Sequence, residues 1–252
     1  MRILVTNDDG VHAPGLRVLE EIAATLSDDV YVVAPESDQS GVAHSLSLND
    51  PLRLRRISER RYAVKGTPTD CVIMGVRRIL DGREPDVVLS GVNSGQNVAE
   101  DVIYSGTVAG AMEGAILGIP AIALSQAYGR AGREKAFWSC AQTHAPGLIE
   151  KILTAGVAPN TVVNINFPDC PPDAVEGVAV TAQGRRGYLV NIDARSDGRG
   201  NPYYWIAFDR PYSEPGQGTD VQALAQNRIS VTPLRLDITD TPTLTRYAQA
   251  LG

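Results

Sequence analysis

A chain of 252 residues, 43% of them hydrophobic, is long enough to bury a substantial core in one large α/β domain. Acids outnumber bases by 29 to 23, and the resulting net charge of −6 argues against a general nucleic-acid binder but not against a small anionic substrate. Cys71, Cys140 and Cys170 form no CxxC pair and the histidines number only three, so the thiols read as free groups of a reducing compartment and a histidine-based zinc site is not expected.

The opening MRILVTNDDG has an apolar run too short for a signal-peptide core, and no stretch approaches the ~20 apolar residues of a membrane span. A cytoplasmic location without a membrane partner is expected. Residues 2–6 read as a buried strand. Pro14 then opens a helix, with Leu16, Leu19, Ile22, Ala23 and Leu26 at i, i+3 and i+4 spacing, and residues 30–34 form a second buried strand ending at Pro35. Strand, helix, strand is a βαβ unit and implies a parallel sheet covered on both faces.

After a polar stretch, candidate strands at 52–57 and 62–65 suggest a small antiparallel excursion, and Thr67-Pro68 starts a helix that runs to about Leu80. Residues 86–90 read as a strand that stops at the glycine-rich segment 91–97. An Ala- and Gly-rich helix follows from about Thr107 to Leu117, then a strand at 120–125. Residues 133–155 read as a helix that Pro146 breaks or kinks, and 161–167 as another strand. Beyond 168 the apolar segments 175–181, 203–208 and 229–234 are short, and they read as hairpin strands of a protruding arm. The expected organisation is a Rossmann-like core over 1–168 and an arm over 169–252 with a returning strand and helix.

In open α/β sheets, ligands bind beyond the carboxyl ends of the strands. Asp8 and Asp9 follow the first strand, Asp38 and Ser40 the second, and Asn93 and Asn97 the strand ending at Ser90. Three strands thus deliver oxygen-bearing side chains, with glycines, to one edge. Adjacent carboxylates ~4 Å apart repel by about 1 kcal/mol in water and several times more in a dry cleft. A hard divalent cation relieves that repulsion, and these oxygen donors favour magnesium, manganese or calcium over zinc or copper. The plainer alternative for the pair is a turn, with one aspartate capping the helix at Ala13. A second constellation, Ser105-Gly106-Thr107, opens the Ala/Gly helix, whose free N–H groups suit an anion; either hydroxyl could instead be an ordinary N-cap.

GxGxxG, GxxxxGK[ST] and GxSxG are all absent, which argues against a nicotinamide dehydrogenase, a P-loop NTPase and a nucleophile-elbow hydrolase. His12 and His44 lie near the loops and read first as loop residues. Arg185, Arg186 and the aromatics Tyr203, Tyr204 and Trp205 read as hairpin or subunit contacts. A non-catalytic nucleotide sensor and a different phosphate- or sugar-transfer enzyme are the competing classes.

ILVTNDDG at the start, APESDQSG at 34–41, GTPTDCV at 66–72 and SGVNSGQNVAEDVIYSGTVAGAMEG at 90–114 resemble the SurE family of stationary-phase survival proteins, 5′/3′-nucleotidases. NINFP at 164–168, GTDVQAL and ISVTPL extend the resemblance over essentially the whole chain. It implies a metal-dependent phosphatase that acts on nucleoside 5′- and 3′-monophosphates, and on short polyphosphate. It implies one divalent cation (Mg2+ or Mn2+) per subunit held by Asp8, Asp9, Ser40 and Asn93, with Asp8 and Asp9 catalytic. It places Asn97, Ser105, Gly106 and Thr107 on the phosphate. It further implies an arm exchanged between subunits of a homodimer or homotetramer.

Overall fold

The computed structural model describes residues 1–129, 132–187, 189–209 and 214–252. In chain order its elements are β1 (Arg2–Thr6), α1 (Pro14–Leu26), β2 (Asp29–Pro35), β3 (Arg53–Arg56), β4 (Arg61–Lys65), α2 (Pro68–Met74), β5 (Val87–Ser94), α3 (Asp101–Tyr104), α4 (Gly106–Ile116) and β6 (Ala121–Gln126). They continue as α5 (Trp138–Ala155), β7 (Thr161–Phe167), β8 (Val178–Val180), β9 (Leu189–Ser196), β10 (Pro202–Asp209), α6 (Asp220–Ala225), β11 (Ile229–Arg235) and α7 (Thr241–Leu251).

Nine strands form one sheet in the order β3-β4-β2-β1-β5-β6-β7-β11-β8, parallel from β4 through to β7. The chain leaves β1 toward β2 on one side and returns through β5 on the other. The carboxyl ends of β1 and β5 therefore flank a topological switch point, where α/β sheets open a ligand crevice. One face of the sheet is covered by α1 and α5 through Ile3, Val5, Leu16, Leu19, Ile22 and Ile149. The other is covered by α2 and α4 through Leu4, Val33, Val72, Val88 and Val108. Each fully buried Val, Leu or Ile side chain contributes about 1.5–3 kcal/mol, so strand runs such as Ile3-Leu4-Val5, apolar on both faces, fix the three-layer arrangement.

Local sequence explains several of these elements. Thr67 accepts from the Asp70 amide, and the Asp70 carboxylate accepts from the Thr67 amide, a reciprocal capping box at the start of α2. In α4 the glycines set the approach to the sheet. A Cβ on Gly114 would stand 2.8 Å from Val88 Cγ2, and one on Gly110 would stand 2.9 Å from Ser90 Oγ. Only a helix without side chains at those points can lie this close to β5.

Four expectations need correction. The strand read as ending at Ser90 runs on to Ser94 through a register shift between Ser90 and Asn93, so Asn93 sits on the strand itself. Pro146 lies inside α5 without breaking it; the helix keeps a buried stripe of Cys140, Ala141, Ala145 and Ile149 on the core, and that packing outweighs the missing amide. The β3–β4 pair is antiparallel as expected, but β4 joins β2, so the excursion extends the main sheet. Segments 175–181 and 229–234 are also not arm strands: β11 pairs with β7, and β8 with β11.

The hairpin β9–β10 is the part that stands alone. Among the described residues its strands pair only with each other, Ile192 opposite Ile206 and Ala194 opposite Tyr204. The face bearing Val190, Ile192, Tyr204 and Ile206 is exposed, as are Trp205 and the α7 residues Leu244 and Tyr247. Among the described residues, no helix is long and apolar enough to cross a membrane. Cys71, Cys140 and Cys170 are free and buried, as the sequence suggested.

Candidate active site

Asp8 stands at the end of β1, only 4% exposed, with its neighbour Asp9 half-buried. The loop after β2 folds back over them, with the Gln39 amide donating to the Asp8 carbonyl at 2.8 Å. A Cβ on Gly10 would meet the Ser37 and Asp38 backbone at 3.2–3.4 Å, and Gly10 itself has φ +101, so glycine is needed where the two loops cross. From β5, the Ser94 amide donates to Asp9 Oδ2 at 3.2 Å. The helix α4 closes the remaining side: Thr107 Oγ1 donates to Asp8 Oδ1 at 2.5 Å, and a Cβ on Gly106 would stand 2.8 Å from Asp8 Cβ.

The residues singled out from sequence thus fall into two groups. Asp8, Asp9, Ser40, Asn93, Gly106 and Thr107 lie on loops and ends that converge at the β1/β5 switch point. Ser40 is exposed, and its hydroxyl donates to Asp38 Oδ1 at 2.5 Å, which leaves its oxygen lone pairs turned elsewhere. Asn93 spends its amide nitrogen on the Gly95 carbonyl at 2.9 Å, which leaves its side-chain oxygen as a donor to a cation. Ser105 is the N-cap of α4, accepting from the Val108 amide at 3.0 Å, so the capping alternative describes its hydroxyl. The same alternative does not hold for the aspartates: α1 is capped at Ala13 with no side-chain hydrogen bond.

Asn97 is tied elsewhere. Its amide donates to Asn166 Oδ1 at 2.7 Å, its carbonyl accepts from Asn164 and Asn166, and its side-chain nitrogen donates to Ser125 Oγ at 2.9 Å. Beyond it, the Ala99 amide donates to the buried Asp220 at 3.0 Å. Sequence reasoning missed this anchoring by Asn164, Asn166 and Asp220, because contacts between residues 67 to 121 positions apart leave no local signal. It also missed the Ser94 amide and the bond from Thr107 to Asp8. His12 is exposed on the loop before α1, while His44 reaches α4.

Burial drives the Asp8 carboxyl up from 3.8 to about 6. The negative charges of Asp9 and Asp38 push the same way, against the lowering effect of the Thr107 hydroxyl. Burial and neighbouring negative charge therefore both disfavour the ionised form of Asp8. Asn7 Oδ1 and Ser94 Oγ are buried beside it with no hydrogen-bond partner. Among the described residues, no group of three His, Cys, Asp or Glu side chains is arranged as a metal cluster. A cation here would instead rest on two carboxylates with hydroxyl and amide oxygens, the donor set that hard cations accept with retained water. On donor chemistry and charge, Asp8, Asp9, Ser40 and Asn93 fit such an ion.

Fold and site together define a Rossmann-like α/β protein with an acidic pair and the start of a helix meeting at its switch point. Residues 3–189 match the family described as Survival protein SurE, and the chain belongs to that family. It is 95% identical to the 5′-nucleotidase SurE of Methylocella silvestris over 251 residues, covering 100% of both chains. It is 70% identical to the 5′-nucleotidase SurE of Methylobacterium sp. (strain 4-46), again over 100% of both. The crystal structure of the SurE protein from Aquifex aeolicus superposes with a TM-score of 0.85 at 41% identity, covering 99% of each chain.

Proposed function

We propose that the chain is a divalent-cation-dependent phosphatase that hydrolyses nucleoside 5′- and 3′-monophosphates, with short polyphosphate as a second substrate. The observation that carries this reading is the contact between Asp8 and the first turn of α4. The Thr107 hydroxyl donates to Asp8, the Gly106 backbone packs against it, and burial with the charges of Asp9 and Asp38 raises its pKa, so the acidic pair and the start of α4 share one small volume. The names of its 95% and 70% identical relatives support the nucleotidase assignment.

Asp8, Asp9, Ser40 and Asn93 would hold Mg2+ or Mn2+, which when bound neutralises phosphate charge and makes water a better nucleophile at neutral pH. The Gly106 and Thr107 amides at the helix start would grip the phosphoryl oxygens and stabilise their charge as the ester bond lengthens. Gly106 lets the phosphate lie against the backbone, and Asn97, fixed by Asn164 and Asn166, orients the loop that leads into α4. Asp8 or Asp9 would align the attacking water, whose oxygen bonds to phosphorus as the nucleoside leaves with a proton. Asp8 keeps its Thr107 hydrogen bond in either protonation state, so Asp9 is the better candidate for that role.

The chelator test is direct. Phosphate release from p-nitrophenyl phosphate and from nucleoside monophosphates should vanish with EDTA and return with Mg2+ or Mn2+; turnover that persists in EDTA overturns the reading. In a single turnover in heavy-oxygen water, direct attack puts the label in phosphate. Label in an aspartate would instead support a covalent intermediate.

The division into a core over 1–168 and an arm over 169–252 is proposed in a functional sense, since β8 and β11 return to the core sheet. An isolated two-strand hairpin is marginal in water, so the apolar face of β9–β10 suits a second copy of the chain, in a homodimer or homotetramer with the arm exchanged. Charging the cross-strand pair (Ile192→Asp with Ile206→Asp) should reduce the particle mass seen by light scattering. An unchanged mass removes the hairpin from the interface. The cytoplasmic location expected from the sequence is kept as part of this reading, with Cys71, Cys140 and Cys170 free.

A further inference from the structure

Glu113 is the charged residue of α4, and its side chain is only 9% exposed. It lies seven residues past Gly106, which puts it on nearly the same face of α4, about two turns from the end that touches Asp8. A buried carboxylate is costly without a partner. Its partner is His44, whose Nε2 stands 3.0 Å from Glu113 Oε2. His44 belongs to the segment that carries Ser40 over the acidic pair, a stretch with no regular secondary structure from Glu36 to Leu52.

The path of that segment is not one it would choose alone. Gly41 has φ +77 and Ala43 has φ +52, and an alanine in the left-handed region costs about 1–2 kcal/mol. Such a conformation persists where surrounding contacts impose it. Here the Ala43 amide donates to the Tyr104 carbonyl at 3.2 Å, one residue before the α4 cap, and the next residue is His44. Downstream, Thr67 Oγ1 donates to the Ser45 carbonyl at 2.8 Å, and Ser47 donates to Asp70 through both its amide and its hydroxyl. The segment is therefore fastened to α2 at its far end. On the Ser40 side it is fastened to the end of β1 by the Gln39 amide on the Asp8 carbonyl, to the end of α3 by the Ala43 amide on the Tyr104 carbonyl, and to α4 by the His44–Glu113 pair.

We propose that His44 and Glu113 form a positioning couple that holds the Ser40 loop against α4 and so sets the affinity of the acidic pair for a divalent cation. The couple touches neither substrate nor cation; beside the Gln39–Asp8 backbone bond, it holds the far side of the Ser40 turn by tying that loop to the helix whose first turn contacts Asp8. The inference rests on the cation site proposed above.

The test measures Mn2+ binding by titration calorimetry, independent of turnover. His44→Ala should weaken Mn2+ binding about tenfold or more, the usual cost of losing a residue that orients metal ligands, and His44→Gln should recover part of it. Because His44→Ala leaves Glu113 buried without a partner, the double variant His44→Ala/Glu113→Ala is the control for folding. Its melting temperature should return toward that of the parent protein while its Mn2+ affinity stays weak. Affinity that recovers along with the melting temperature would make the pair merely structural, and unchanged affinity in His44→Ala would sink the couple alone. No Mn2+ binding by the unaltered protein, with Asp9→Asn indistinguishable from it, would instead sink the cation site and this couple with it.

Discussion

Asp9→Asn is expected to abolish turnover with the fold intact, while Asp8→Asn should abolish it and stabilise the cation-free protein. Losing a carboxylate that would hold the cation removes charge stabilisation from the transferring phosphoryl group, and a fall on the order of a thousandfold in rate corresponds to about 4 kcal/mol of barrier. The stability effect has a definite sign. Asp8 is raised to about 6 in the folded chain against 3.8 when unfolded, so between those values the folded protein keeps a proton that the unfolded chain has lost. The group therefore destabilises the fold increasingly as pH rises through that window, by at most about 3 kcal/mol above it. Asparagine at position 8 can still accept the Thr107 hydrogen bond but carries no charge. In EDTA at pH 7.5, Asp8→Asn should melt higher than the parent by about 2–4 °C per kcal/mol recovered, and the gain should shrink toward pH 4. With Mn2+ present the order should reverse, because only the parent gains binding energy. A variant that melts lower at both pH values in EDTA would show that Asp8 is a structural acid. Asp9→Asn retaining the parent rate would remove Asp9 from the site.

The second large effect is expected at Gly106. Its Cβ would stand 2.8 Å from Asp8 Cβ and 3.0 Å from Asp8 Oδ2, closer than real Cβ atoms approach their neighbours. Its φ is not in the left-handed region and alanine is the better helix former, so Gly106→Ala costs nothing in local backbone conformation. The clash has to be relieved by moving α4 or the Asp8 side chain, each a few tenths of an ångström or more out of place. Either movement separates the amides that would hold phosphate from the carboxylates that would hold the cation. A loss of one well-placed oxyanion donor is worth about 10²–10³ in kcat, and that is the expected fall, with a melting temperature lowered by the usual overpacking cost of about 1–3 kcal/mol. The measurement is kcat on a nucleoside monophosphate beside thermal unfolding of the same sample. A kcat within twofold of the parent would mean that phosphate does not approach the start of α4.

The contrast between Ser105 and Gly106 shows why the start of α4 was only partly legible. From the sequence, Ser-Gly-Thr before an Ala/Gly helix reads equally as a cap and as an anion cradle. The structure shows the cap: the Ser105 hydroxyl caps the helix, while Gly106 packs against Asp8 and Thr107 bonds to it. Asn97 is the reverse case. It was visible as a polar residue in a glycine-rich loop, yet its hydrogen bonds run inward to Ser125, Asn164 and Asn166.

What the sequence determined by itself is whatever depends on short-range order. Apolar strand runs, the 3.6-residue period of α1, the Thr67–Asp70 box and the acids at the strand ends all express interactions within a few residues. They sufficed to place Asp8, Asp9, Ser40 and Asn93 at one edge of a parallel sheet. Only the tertiary structure decided that β5 runs past Gly91 to Asn93, that β8 and β11 return to the core sheet rather than joining the arm, and that Glu113 meets His44. Those outcomes turn on which surfaces meet after the chain folds back from tens of residues away, and packing energy summed over such meetings exceeds the local preference of any one segment.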